Sequence, residues 1–365
     1  MPAQADIPIT RIAARAYTIP TDSPESDGTI SWDRTTLVIA NVEAGGKSGF
    51  GYTYCSKAAG TLIESVLARE IEGRNAFAIE AVWAAMNAVV RNIGRPGIAS
   101  CAISALDIAL WDLKARHLVQ PLAVLLGAAR EKVPVYGSGG FTSYDESRLR
   151  DQLGGWAAQG CRWVKMKVGR QPDRDRARVR AAKSAIEETH LLVDANGAYT
   201  RKQALEFARG FSDCGVTWFE EPVSSDDLEG LRVLRDRAPG GMDIAAGEYG
   251  YTPYYFRTML QAGAVDVLQA DATRCGGVTG FLRAAALCDG FELPLSSHCA
   301  PSIHLAPAIA APRLRHMEWF HDHVRIEQML FDGASVLKDG HIAPDLSRPG
   351  HGLALREADA QKFEA

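Results

Sequence analysis

From Val133 to Trp319 the chain repeats one pattern, a short apolar run followed by a polar stretch with apolar residues every three or four positions. Eight such runs can be read: VPVYGS, RWVKMKV, HLLVDAN, VTWFEE, MDIAAGE, VDVLQAD, LPLSSH and RHMEW. Between them lie helix-type segments such as RDRARVRAAKSAIEE, RKQALEFARGFSD and VTGFLRAAALCDG. Parallel strands need a crossover of a dozen or more residues, normally a helix, so this alternation predicts an α/β fold closed as a parallel β/α barrel. An open doubly wound sheet is the alternative, but no G-x-G-x-x-G follows the first run.

The second run, WVKMKVGR, puts Lys165 and Lys167 two apart in a strand, on one face, where their ammonium groups repel. A solvent-facing edge strand explains that pattern; so does a base whose pKa is lowered by a like-charged neighbour. The other runs separate these readings. From the second onward each ends in a polar or charged residue, Lys167, Asp194, Glu220, Glu248, Asp271, His298 and Glu318, in steps of 20 to 28 residues. One step is one βα unit, so all seven reach the C-terminal rim, where barrel enzymes place their chemistry. A single carboxylate ending a strand is commonly a cap or turn former, but seven in succession are hard to explain that way.

The middle three, Asp194, Glu220 and Glu248, would be neighbours on the rim and would repel unless a cation held them. An all-oxygen donor set suits magnesium and, without His or Cys, argues against zinc. Glu221 points to the other side of its strand and is the weaker candidate. Asp271 is expected to fix the tautomer of His298, Lys165 to depress the pKa of Lys167, and a protonated Glu318 to donate to a developing oxyanion. Arg274, just beyond Asp271, is the cation best placed to meet an anionic substrate. His321 and His323 fit a second metal or a loop particular to this group, but solvated polar residues are the simpler reading.

The first 130 residues differ. Two β-rich segments, ITRIAARAYTIP and TTLVIANVEAGGKSGFGYTY, flank TDSPESDGTISWD, which reads as a mobile lid loop over about 21–33. Three helical patterns follow, ending with CAISALDIALWDLKARHL. The expected organisation is an α+β capping domain over 1–130, the barrel over 131–325, and a segment over 326–365 that folds back on the capping domain. Composition is ordinary, 47% hydrophobic and 23% charged with a formal net charge of -4, which argues against a nucleic-acid binder. No run approaches a membrane span and the start has no apolar leader core. Seven cysteines without a C-x-x-C pair fit reduced thiols, so a cytoplasmic protein is expected.

The motifs VKMKVG, LLVDANGA, WFEEPV, AAGEYG, ADATRCGGVTG, LSSH and HMEW, with SALDIALWDLKAR, resemble those of the enolase superfamily and its mandelate racemase-like subgroup. The resemblance implies a modified (β/α)7β barrel, one Mg²⁺ held by Asp194, Glu220 and Glu248, Lys167 with Lys165 as one base, and His298 with Asp271 as the other. It also implies that Glu318 assists the enolate, that Ser138 lies near the substrate carboxylate, and that Asn196 supports the metal site. A Lys or His base beside Mg²⁺ is a known trait of this superfamily. The expected reaction is removal of the proton α to a carboxylate, most often followed by dehydration of a sugar acid. Racemisation or epimerisation of a 2-hydroxy acid, a sugar-derived cycloisomerisation, and a catalytically silent binding barrel are the alternatives. The expected partners are a small carboxylic acid and further copies of the chain as a homo-oligomer, with no nucleic acid and no membrane.

Overall fold

Strand alternation separates two kinds of surface in this computed structural model, which describes residues 6–365. Eight strands carry the barrel: β4 (Val133–Gly139), β5 (Trp163–Lys167), β6 (His190–Asp194), β7 (Val216–Glu220), β8 (Asp243–Ala246), β9 (Val267–Ala270), β10 (Leu295–Ser297) and β11 (Leu314–Phe320). They pair in parallel and in order, and β11 pairs with β4 to close the cylinder. Outward residues such as Val164, Met166, Leu191, Val193, Phe219 and Met317 are buried against the helices. Inward residues Tyr136, Leu192, Trp218, Ala245 and Val267 fill the barrel. Every second residue belongs to one set, as a period of two requires.

Seven helices join the eight strands, from Glu146–Ala158 to Pro301–Ala310. That is the expected (β/α)7β arrangement. Parallel register does the alignment at the top: Lys167 pairs with Asp194, and Asp194 with Glu220, so three strand ends form one row.

In front of the barrel, β1 (Ile9–Ser26), β2 (Ser31–Ala44) and β3 (Lys47–Tyr54) form an antiparallel sheet. The helix Ile98–His117 packs on it with fifteen of its twenty residues buried. This capping domain grips the loop after β9. Thr53 Oγ1 donates to Thr273 O at 2.7 Å, Trp83 Nε1 to Gly276 O at 2.9 Å, and Asp107 accepts from Thr279 N at 2.9 Å and Thr279 Oγ1 at 2.6 Å. Gly277 has φ +78°, and a Cβ there would lie 2.3 Å from Asp107 Oδ2. The loop beside Asp271 is therefore fixed from above.

Two expectations are corrected. The lid segment is largely strand, with β1 running to Ser26 and pairing with β2 through a register shift between Pro20 and Glu25. Its polar composition suggested a loop, but a bulge absorbs the irregularity, and the tip is closed by Asp27, whose Oδ1 accepts from Thr29 N and Ile30 N. The boundary at 325 falls inside the helix His321–Leu330. Beyond it, β12 (Phe331–Asp332) pairs with β14 (Ala354–Leu355), while β13 (His341–Ile342) adds to β4 of the barrel. The chain end reaches the capping sheet, with Ala365 N donating to Ala16 O and Arg15 paired with Glu357 at 2.7 Å. The first five residues of the expected 1–130 segment lie outside the described residues. Among the described residues, no helix is long and apolar enough to cross a membrane.

Candidate active site

The seven strand-end residues do converge. A cavity of about 370 Å³ opens at the C-terminal rim, lined by Lys167, Asn196, Glu248, Arg274, His298 and Cys299 from the barrel and by Trp32, Thr36, Tyr54 and Cys55 from the capping sheet. Asp194, Glu220 and Glu248 each bring a carboxylate oxygen within 4.8 Å of the others. Asp194 and Glu220 end their strands directly. Glu248 lies beyond the end of β8, after Gly247 at φ +138°, where a Cβ would sit 2.1 Å from Gln269 O. Only glycine allows that turn.

Five buried carboxylates crowd this region: Asp194, Glu220, Glu221, Glu248 and Glu318. Two lysines lie among them. Lys165 Nζ is 2.5 Å from Glu220 Oε1, 2.9 Å from Glu318 Oε1 and 3.5 Å from Asp194 Oδ2, and Lys167 Nζ is 2.5 Å from Asp194 Oδ2. Arg274 adds a third positive charge 3.4 Å from Glu248. Carboxyl groups still outnumber these cations, and Glu248 Oε2, Glu221 Oε1 and Asn196 Oδ1 are buried without a hydrogen-bond partner. Buried oxygens left unpartnered are costly, and a divalent cation among the three converging carboxylates would satisfy that of Glu248. The donor set, all oxygen, fits magnesium.

Electrostatics overturn two expectations. Burial and Lys165 both pull the Lys167 pKa down, but Asp194, with Glu248 and Glu220, outweighs them and the net shift is upward. Beside Asp194 the ammonium form of Lys167 is favoured over the half-neutral amine expected. Burial would raise Glu318, but Lys165, His298 and Lys167 hold it well below the usual carboxylate range. It is an ionised acceptor, taking hydrogen bonds from Ser138 Oγ at 2.6 Å and Cys299 N at 2.7 Å, and not a protonated donor. Asp194 is likewise brought down to about 2, the two lysines overcoming its burial. Glu220 and Glu221 go the other way, since burial and the neighbouring carboxylates push both well up.

On the far side, His298 Nδ1 is 2.8 Å from Asp271 Oδ2. The other Asp271 oxygen accepts from Thr273 N and Thr273 Oγ1, both at 2.7 Å, so the carboxylate cannot swing away. Nε2 of His298 then faces the carboxylates, 3.5 Å from Glu248 Oε2. The expected orienting pair is present.

Other placements differ from the sequence reading. Ser138 is fully buried behind Glu318 and does not line the cavity. Arg274 lines it but is also held 3.6 Å from Asp271. Asn196 sits in the left-handed region at φ +46°, its N–H donating to Asp194 Oδ1 at 2.9 Å. His323 is buried rather than solvated: it stacks on Tyr54 with ring centroids 3.5 Å apart, and burial drives its pKa down to about 3. Glu221, the weaker candidate, is buried at φ +37° with its Oε1 unpartnered and stands outside the three converging carboxylates. The repeated acidic residue in WFEEP was the only sequence signal for it.

These motifs have known counterparts. The description "Enolase C-terminal domain-like" matches residues 148–359, and "Mandelate racemase / muconate lactonizing enzyme, N-terminal domain" matches residues 12–127. The chain belongs to the enolase superfamily, in its mandelate racemase-like subgroup. A mandelate racemase/muconate lactonizing enzyme-like protein from Rubrobacter xylanophilus is 54% identical, with TM-score 0.96 over 98% of this chain and 100% of that one. The 3,6-anhydro-alpha-L-galactonate cycloisomerase of Streptomyces coelicolor is 33% identical over 95% of this chain and 97% of its own length. The L-talarate/galactarate dehydratase of Salmonella typhimurium, solved with Mg and L-lyxarohydroxamate, is 29% identical, with TM-score 0.90 over 100% of this chain and 95% of that one.

Proposed function

We propose that this chain is a magnesium-dependent dehydratase that removes the proton α to the carboxylate of a sugar acid, expels the β-hydroxyl and yields a 2-keto-3-deoxy acid. The observation that carries this reading is the pairing, around one cavity, of Lys167 with an imidazole whose Nδ1 is committed to Asp271. When bound at Asp194, Glu220 and Glu248, magnesium supplies the positive charge against which the enediolate is stabilised.

The chain's own groups do the proton work. Released from its ion pair with Asp194, Lys167 loses its extra proton to solvent, and the neutral amine then accepts the C2 proton while the C–H electron pair moves into the enediolate. As the enediolate collapses, the C3–O bond breaks and His298 Nε2 delivers a proton to the departing hydroxyl, which leaves as water. The enol left behind tautomerises to the 2-keto acid. Lys165 holds Glu220 and Glu318 in place and never meets the substrate, since it is fully buried.

A base and an imidazole flanking one cavity also suit a cycloisomerase, and the 33% identity to a sugar-acid cycloisomerase favours that as the second reading. We further infer a homo-oligomer acting on small carboxylic acids, and a cytoplasmic location, the last supported by the seven free cysteines. The deciding assay is ¹H NMR in D₂O with Mg²⁺ and a panel of sugar acids, mandelate and other 2-hydroxy acids. A 2-keto-3-deoxy product is expected, and it should vanish in Lys167→Met and His298→Asn. Ring opening or α-exchange without elimination would replace dehydration with isomerisation; full activity in either variant would remove both residues from the mechanism.

A further inference from the structure

A second group of metal-type donors lies outside the active-site cavity. Asp22 and Glu25 on β1 and His321 at the start of the helix His321–Leu330 each bring one donor atom within 4.8 Å of the other two. His321 Nε2 is 3.1 Å from Asp22 Oδ2. Glu25 is fully buried, and its two oxygens are treated unequally: Oε2 accepts from Trp32 Nε1 at 2.8 Å, while Oε1 is buried with no partner.

The neighbouring cations leave Glu25 unpaired. Arg148 contacts Asp22 at 3.2 Å, and Arg325 pairs with Asp322 at 2.6 Å and donates to Pro20 O. Among the described residues Glu25 forms no ion pair. Burial, with Asp322, raises the Glu25 carboxyl to about 8, so a cation bound there would displace its proton, and His321 and Asp22 are the donors beside its bare oxygen.

We propose that Asp22, Glu25 and His321 form a second, non-catalytic site for a first-row divalent cation such as Zn²⁺. The imidazole sets its preference apart from that of the all-oxygen catalytic cluster, because nitrogen donors favour zinc and its neighbours in the series over magnesium. On binding, the cation takes the place of the proton between His321 Nε2 and Asp22, so His321 coordinates as a neutral ring with its hydrogen on Nδ1. The remaining positions face solvent through Asp22 and His321, both partly exposed.

The location gives the site a purpose. Asp22 and Glu25 precede the hairpin tip whose Asp27, Ile30 and Trp32 line the active-site cavity, and His321 follows directly on the strand that carries Glu318. A cation there staples the hairpin to the barrel across the cavity mouth.

The test is calorimetric titration of Zn²⁺ into full-length protein held in excess Mg²⁺, so that the catalytic carboxylates are already occupied. One additional Zn²⁺ per chain is expected. Glu25→Gln, nearly isosteric, and His321→Ala, a partly exposed position, should each weaken it at least about 10-fold, since loss of even an outer partner of a metal costs about 10–100-fold. Both variants should keep the Mg²⁺-dependent rise in Tm, which shows that the fold and the catalytic cluster are intact. No additional Zn²⁺ in the wild-type protein, or unchanged affinity in either variant, would overturn the assignment.

Discussion

Replacing Asp271 with asparagine tests the role of His298 with almost no change in shape. In the native site Oδ1 accepts two hydrogen bonds from Thr273, and Oδ2 faces His298 Nδ1 at 2.8 Å. An asparagine must keep its oxygen toward the two Thr273 donors, so its NH₂ group meets the ring. Two donors cannot face each other; the imidazole moves its hydrogen to Nε2 and accepts through Nδ1. The ring then presents a neutral N–H to the substrate, with no carboxylate behind it to stabilise an imidazolium. Loss of an orienting partner costs about 10–100-fold, and inversion of the tautomer in a His–Asp pair reaches about 10⁴-fold. We therefore expect kcat to fall about 10²- to 10⁴-fold, equivalent to about 3–5 kcal/mol of transition-state stabilisation. Arg274 keeps its contact with Glu248, so magnesium-dependent stabilisation should survive. The assay measures kcat, KM and α-proton exchange in D₂O side by side. Elimination should collapse while exchange through Lys167 persists. A fall in kcat below about 3-fold would refute the argument that Asp271 acts by setting the ring's tautomer.

Other perturbations separate the remaining roles. Ser138→Ala removes a 2.6 Å donor from an ionised, buried Glu318, so unfolding free energy should drop by about 1–3 kcal/mol in a denaturant titration, with a reduced kcat and little change in KM. Mg²⁺ at about 100 times its Kd should add about 2.7 kcal/mol of stability, seen as a rise in Tm that EDTA reverses and that Glu248→Gln abolishes; no rise in the native protein would contradict the cation site. Glu327 is buried between Tyr52 Oη and Ser302 N, and burial, against those donors, raises its pKa from 4.5 to about 7. A raised carboxyl favours folding while protonated, so its contribution, about 3 kcal/mol, is full below pH about 4.5 and is lost as pH rises toward 7. Glu327→Gln should flatten that part of the stability curve, and identical pH dependence in the two proteins would show that the group does not titrate there.

The barrel was legible because its construction is periodic twice over. Alternation along each strand sorts inward from outward residues, and one βα unit between successive strand ends brings Lys167, Asp194 and Glu220 into a single row. Where one residue leaves the period, the reading weakens. Glu248 reaches the rim only through Gly247, and Glu221 takes a positive φ, and neither property is written in hydrophobic patterning. The lid segment failed for a related reason: Pro, Ser and Asp are turn formers on average, yet here they occupy a bulged strand closed by an Asx turn.

Charge states were harder to read than positions. Lys165 and Lys167 were correctly placed on one face, but the sign of the Lys167 shift depends on what stands opposite. In the strand alone the only neighbour is another ammonium, which depresses the pKa; in the barrel Asp194 lies 2.5 Å away and reverses it. Glu318 follows the same logic, since closure of β11 on β4 sets Ser138 beside it across 180 positions of sequence and Lys165 completes the cage. A group whose partners come from distant strands has its protonation decided by the closed fold, which is why the donor expected at Glu318 is an acceptor. The same contacts state the condition for catalysis. In the proposed mechanism Lys167 serves as a base only after Asp194 releases it and its ammonium proton is lost, and the unpartnered Glu248 oxygen is where a competing positive charge would sit.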